Sequence, residues 1–259
     1  MTDIQAGASD RLVPKDREKE VAKILGEPHV KTRAGVPALD RNWSGEIAMG
    51  RNMFRQLIVA LTLFSCFAGG QAVAQEAIGA VSRIQGEASG TRGGATQALG
   101  PNASVFPNEV VSTGDGTRLE LTFTDKTQLT LSEKTKLTLD TYVFNPAAGV
   151  GTLKFEAVGA FKFVSGRLSK LAKAAVNVTT PVANIGIRGT EFWAGPIDNQ
   201  ALGVFLANGA VTVSNAAGAQ ILSRPGQGTN IATPGAAPGP VTFWPADKVS
   251  RALATVTFR

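Results

Sequence analysis

Arg118-Leu119-Glu120-Leu121-Thr122-Phe123-Thr124 alternates apolar and polar side chains without a break. In an extended chain that alternation puts Leu119, Leu121 and Phe123 on one face and Arg118, Glu120, Thr122 and Thr124 on the other, so one face is buried and one is wet. The pattern returns in Gln128-Leu129-Thr130-Leu131 and in Lys136-Leu137-Thr138-Leu139, paired leucines recurring every eight residues with a polar break between them. Such spacing predicts an all-β chain of short strands, stacked as a solenoid or, alternatively, folded as a compact β-sandwich.

Outward from this stretch towards the C-terminus, strands are expected around Val176–Thr179, Glu191–Ala194, Gly203–Ala207 and Val211–Ser214, with Asn208-Gly209 as a tight turn between the last two. Trp193 follows Phe192, so the two rings point to opposite faces and one of them is expected at the surface. The β domain is expected to span residues 75–222. Arg224–Pro240 is rich in Gly, Pro, Ala and Thr, which bury too little surface to offset their ordering, and residues 223–240 are expected to form a loop. In the last segment, 241–259, the spacing of Val249, Leu253 and Val256 is near-helical before Phe258, which leaves a short helix and a terminal strand both open.

The β character begins at Ala77. Before it, Arg51 and Arg55 precede the apolar run Leu57–Ala68, and Ala72-Val73-Ala74 stands before Gln75. A basic start, an apolar core and small residues where the peptidase needs them make residues 51–74 a signal peptide, cleaved after Ala74 with Ala72 and Ala74 in the peptidase subsites. Read alternatively, Leu57–Ala74 is a membrane anchor, long enough to span a bilayer if Gly69, Gly70 and Gln71 are tolerated. Leu63-Phe64-Ser65-Cys66 has a faint likeness to a lipoprotein cleavage site, but Phe64 is bulky where a small or branched residue is usual. Residues 1–50 are charged with scattered apolar groups and are expected to be poorly ordered. An export signal belongs at the very start, so Met49 or Met53 is the expected start, and residues 1–48, with Trp43 and His29, carry no function. The competing reading is a short cytoplasmic tail with one amphipathic helix over Asp16–Leu25.

Composition narrows the function classes. A hydrophobic content of 43% in 259 residues is ample for a packed core and excludes global disorder. The net charge of +6 raises the question of nucleic acid. The basic residues are spread out and often follow acids, as Lys126 follows Asp125 and Lys134 follows Glu133, and no basic cluster is interleaved with aromatics, so no nucleic-acid partner is expected. The lone cysteine, Cys66, would leave with the signal, which is the cysteine usage of an exported chain with no thiol chemistry.

Thr180-Pro181-Val182-Ala183-Asn184-Ile185-Gly186-Ile187-Arg188-Gly189-Thr190-Glu191-Phe192 resembles the signature of FecR-type (ferric-citrate-regulator-like) domains in Thr180, Pro181, Ala183, the triplet Arg188-Gly189-Thr190, and the aromatic Phe192. Val111-Ser112-Thr113-Gly114 with Leu119, Phe123 and Asp125 resembles the family's strand-turn-strand segment, Gly79, Val81 and Gly86 its opening, and Phe163-Val164-Ser165-Gly166-Arg167 the stretch before the Thr-Pro. The resemblance covers Ala77 to Gly218. One departure is Asp125-Lys126-Thr127, where the family usually has Asp-Gly-Ser or Asp-Gly-Thr, and it leaves the turn type open. The resemblance implies a β-helical or solenoid-like fold, a periplasmic sensing role, an envelope protein partner, no cofactor and no catalytic residues.

The signature residues also have structural explanations. Pro181 can end a strand, Gly186 and Gly189 permit backbone shapes that a side chain forbids, and the Thr190 hydroxyl can satisfy a turn. Arg188 is open between binding an anionic partner and pinning a loop through carbonyls or a carboxylate such as Glu191 or Asp198, the second being favoured. Residues 75–259 contain neither His nor Cys, so the usual acid-base groups, thiol nucleophiles and soft metal ligands are missing and no enzyme is expected. Asp115, Asp125 and Asp140 sit at expected turns or strand ends, where Asp commonly bonds its own backbone, and Gly114-Asp115-Gly116 alone does not make a calcium loop; no metal site is expected. Three functions follow: an exported, non-catalytic interaction or sensing module, periplasmic or secreted; a transmembrane anti-sigma regulator anchored in the inner membrane; or a cell-wall or carbohydrate-binding module. Trp193 and Arg188 mark the candidate binding surface.

Overall fold

The computed structural model describes residues 75–259. The N-terminal extension, the signal segment and its Ala72 and Ala74 lie outside them. In chain order the strands are β1 Gly79–Gln85, β2 Ala88–Arg92, β3 Ala95–Leu99, β4 Ser104–Val105, β5 Val110–Thr113, β6 Arg118–Phe123, β7 Gln128–Leu131, β8 Lys136–Asn145, β9 Val150–Val158, β10 Phe161–Val164, β11 Lys173–Thr179, β12 Asn184–Ile197, β13 Gln200–Asn215, β14 Gly218–Leu222, β15 Gln227–Ile231 and β16 Thr242–Phe243. A 3-10 turn, Leu168–Lys170, follows β10, and one helix, α1 Ala246–Ala254, follows β16.

The strands form one sheet with two wings. One wing runs β3-β2-β5-β8-β9-β11 and the other β4-β1-β6-β7-β10, and β12 belongs to both. Its first half, Asn184–Ile187, pairs with β11, and Glu191–Ala194 pairs with β10. The wings face each other. Phe155 on β9 packs on Phe161 and Phe163 of β10, with ring centroids 5.9 and 6.1 Å apart, although β9 and β10 are not neighbours in the sheet. Phe123 of β6 stacks on Tyr142 of β8 in the same way, at 5.5 Å. The chain crosses repeatedly from wing to wing, and because β10 lies in the opposite wing, β9 and β11 pair in parallel.

The leucine pairs stand where alternation predicts. In the β6–β7 hairpin Leu119 is opposite Leu131 and Leu121 opposite Leu129, while Leu137 and Leu139 of β8 lie in the facing wing beside Val111 and Phe155. All are buried. The all-β expectation therefore holds, and the eight-residue recurrence reflects a hairpin of one wing followed by a strand of the facing wing, all supplying the same interior.

Three expectations are corrected, and one left open is resolved. Asn208-Gly209 is not a hairpin turn: β13 runs unbroken through it, and Gly209, at φ +85°, lies where the β12–β13 register shifts. The hairpin instead closes at Asp198-Asn199, both with positive φ (52° and 58°), between the paired Ile197 and Gln200; this is the two-residue turn whose twist suits antiparallel strands. The expected loop over 223–240 contains β15, which pairs with β13 and β16, so the β domain continues past residue 222. The final segment holds both a strand and a helix. Lastly, Phe192 and Trp193 are both buried, at 0% and 1% exposure.

Trp193 is covered because α1 lies over the outer face of β12 and β13. Its ring joins Phe205, Trp244, Ala252 and Val256 in a second apolar cluster, and its indole N–H donates to Thr255 Oγ1 at 2.9 Å. Asp198, in the hairpin turn, pairs with Lys248 and Arg251 of α1 at 3.4 and 3.0 Å. The turn and the helix thus hold each other.

Candidate functional site

The signature residues divide between two places. At the first, β11 ends and the chain reverses: Thr180 Oγ1 donates to the Ala183 carbonyl at 2.8 Å and accepts from the Ala183 N–H at 3.0 Å. Pro181 occupies the outside of this turn, where its missing N–H is not needed. Ala183 is buried against the core. The second place is a bulge in β12 at Arg188-Gly189-Thr190, about 16 Å further along the strand by its rise per residue. Thr180, Pro181 and Ala183 therefore shape a turn, and Phe192 lies in the core touching Phe161 and Phe163.

The bulge is held from behind. Thr190 is buried; its hydroxyl donates to the Ala210 carbonyl and its N–H to Ser165 Oγ, each at 2.8 Å. Gly189 has φ +58°, in the left-handed region, and a Cβ there would meet open space, so glycine is favoured by conformation alone. A Cβ on Gly209 would fall on the Gly189 carbonyl, so here glycine is required by close approach. Gly186 has ordinary backbone and room for a side chain, which corrects the expectation that it needs to be glycine.

Arg188 does not pin a loop. Its side chain is exposed and makes no hydrogen bond or ion pair among the described residues. Both carboxylates proposed for it are engaged elsewhere, Glu191 with Lys162 at 2.7 Å and Asp198 with α1. Among the described residues the favoured structural role therefore finds no partner, and the Arg188 side chain lies exposed at the surface. Trp193 does not join it there, because its ring is under α1.

Beside the bulge lies a recess of about 230 Å³ whose walls include Ser165, Ser169, Lys170, Thr190 and Asn208. The chain after β10, which supplies Ser165, Ser169 and Lys170 to the recess, is anchored by a buried carboxylate. Asp125, fully inaccessible, accepts from Thr127 N–H (3.2 Å), Thr127 Oγ1 (2.7 Å), Tyr142 OH (3.1 Å) and Leu168 N–H (3.0 Å). Its own carbonyl accepts from Arg167 N–H at 2.8 Å. These bonds tie the β6–β7 turn to the chain after β10 and to β8. A Cβ on Gly166 would fall on the Thr127 nitrogen, so the close crossing requires glycine. Besides the local bond within its turn that the sequence suggests, Asp125 joins three segments. Burial pushes the Tyr142 hydroxyl up to about 12, opposed by the Thr124 hydrogen bond and supported by the negative charge of Asp125.

Lys126 follows Asp125 with φ +72°, left-handed at the position where the family usually has glycine. The backbone keeps the turn and the lysine bears the strain. Of the other acids, Asp115 pairs with Lys134 at 3.2 Å and Asp140 is exposed on β8. No group of three or more acidic, histidine or cysteine side chains that could hold a metal gathers among the described residues.

Residues 109–218 match the family model described as FecR protein. Similar solved structures include two crystal structures of a candidate anti-sigma factor from Parabacteroides distasonis ATCC 8503, at 1.65 and 2.50 Å resolution. Each is 20% identical with a TM-score of 0.45, the match covering 56% of this chain and 64% or 63% of the other. The chain thus spans less than two thirds of the length of those structures. No curated protein matches it.

Proposed function

We propose that this chain, which carries a FecR domain over residues 109–218, is an exported, non-catalytic regulatory protein that senses by contacting another protein of the cell envelope. The observation that carries this reading is Arg188. A guanidinium exposed on a rigid bulge, with no partner of its own among the described residues, is held ready for a group from outside. The absence of His and Cys from residues 75–259 supports a role without catalysis. Export rests on the basic, apolar and small-residue pattern of residues 51–74.

The test is the N-terminal residue and membrane partition of the native protein, followed by co-purification with wild-type and Arg188→Ala chains. A soluble species starting at Gln75 whose envelope partner is lost from the variant supports the proposal. An intact, membrane-bound chain replaces it with the transmembrane regulator, and a partner retained by the variant removes Arg188 from the contact.

A further inference from the structure

The geometry points to the recess beside the Gly189 bulge as a carboxylate-binding site that takes an acidic side chain from an extended segment of the partner protein. The inference rests on the protein-contact reading above and adds the partner's chemistry. The only acid among the residues lining the recess is Glu191, and Lys162 neutralises it at 2.7 Å. Lys170 in the wall and Arg188, next in the chain to the lining Gly189, make no ion pair or side-chain hydrogen bond among the described residues. The local charge is therefore positive and uncompensated, which favours an anion.

Neutral donors complete the set. Ser165 Oγ already accepts from the Thr190 N–H, so its proton is left for a ligand oxygen. The Asn208 amide also lines the recess and makes no hydrogen bond through its side chain among the described residues. Open space over Gly189 admits a second backbone close to the bulge. The walls are rigid because Thr190, Ser165 and Ser169 are each tied to main-chain atoms, Ser169 Oγ donating to the Gly166 carbonyl at 2.8 Å. A recess of about 230 Å³ suits a carboxyl group and its methylenes, and is too small for most of a folded ligand.

The test uses isotope-labelled protein, isolated as the cell processes it, in an NMR titration with a Gly-Thr-Glu-Thr-Glu-Thr-Gly peptide. Parallel titrations use the Gln-substituted peptide and inorganic phosphate. The expected result is saturable shifts confined to Ser165, Lys170, Gly189 and Asn208 for the Glu peptide alone. Affinity should fall about fivefold for each of Arg188→Gln and Lys170→Gln, as for exposed charge pairs, and weaken steeply with salt. Unchanged urea midpoints would confirm that both variants fold. Shifts scattered over the lysines of other strands, equal binding of the Gln peptide, or tighter binding of phosphate than of the Glu peptide would overturn the inference. A localised site in a protein that proves not to be exported would leave the recess standing and remove only the functional reading beneath it.

Discussion

The β6–β7 and β12–β13 hairpins are both antiparallel, yet they bury different amounts of themselves. In β6 the inward residues Leu119, Leu121 and Phe123 are sealed while Glu120 and Thr122 on the other face are only partly covered. In β12 the consecutive Phe192, Trp193 and Ala194 are all buried, and in β13 so is the run Leu202–Leu206. A sheet strand buries one face against its opposing wing; to bury the second it needs another layer. Here that layer comes from Trp244 and α1, some fifty residues further along the chain from Trp193. The first hairpin thus belongs to a core that strands alone can build, and the second joins that core to a cap.

The largest effect should come from the shared core. Phe155→Ala removes the ring that touches Phe161 and Phe163 across the two wings, and a loss of about 3–5 kcal/mol is expected in urea unfolding. A loss below about 1.5 kcal/mol would mean that the wings do not depend on this contact.

Next comes the tie between the β6–β7 turn and the chain after β10. Asp125→Ala leaves the Thr127 and Leu168 N–H groups without acceptors in a buried site, for roughly 3 kcal/mol. The same network predicts an alkaline limit. Because the Tyr142 hydroxyl is raised to about 12 in the folded protein, the fold holds a proton that the unfolded chain releases near its ordinary value of about 10. Stability associated with it is complete below that value and declines as pH rises towards 12. Tyr142→Phe should flatten this decline, and an equally steep decline in the variant would show that another group is responsible.

Much of the first hairpin is legible in the sequence because its buried leucines and Phe123 alternate with polar residues, although Thr130 and Ser132 are buried as well. The second hairpin is less so, for physical reasons. Glycine with positive φ serves a bulge as readily as a turn, so the sequence alone suggests a tight turn at Asn208-Gly209 where the strand in fact continues. β15 is hard to see in the sequence because Ile231 is its one large apolar side chain in the core and its other buried side chains are polar: Gln227 accepts from the Ser223 and Arg224 N–H groups, and Thr229 donates to the Gly239 carbonyl. The covering of Trp193 depends on a distant segment, which no local window contains. Of the candidate site, Arg188, Gly189 and Thr190 were legible through the resemblance, whereas Lys170 and Asn208 meet them only through the folding of β13 and the turn after β10.

A smaller effect should sharpen the distinction between core and cap. Trp193→Phe keeps an aromatic ring in the second cluster but deletes the donor to Thr255, and a loss of about 1–2 kcal/mol is expected. Hydrogen exchange should rise first in α1 while the amides of β6 and β7 stay protected, since the cap opens without the core. Equal acceleration in both regions would show that the two hairpins belong to one cooperative unit.

The smallest effect expected lies in the first hairpin and has the opposite sign. Lys126 adopts φ +72° in the turn that joins β6 to β7, a conformation that brings Cβ close to the carbonyl and costs an L-residue about 1–2 kcal/mol. Glycine has no Cβ and escapes that penalty, but its unfolded chain has more freedom to lose, which returns part of the gain. The turn itself depends on backbone groups, Lys126 N–H donating to the Phe123 carbonyl and Phe123 N–H to the Thr127 carbonyl, both at 2.9 Å, so the substitution removes none of its bonds. Lys126→Gly is therefore expected to stabilise by about 0.5–1 kcal/mol in urea unfolding. The control is Lys126→Ala, which shortens the side chain but keeps Cβ; it should match the parent. If alanine stabilises as much as glycine, the lysine side chain and not its backbone is the source of strain. If both destabilise, the lysine makes a contact in solution that offsets the strained φ.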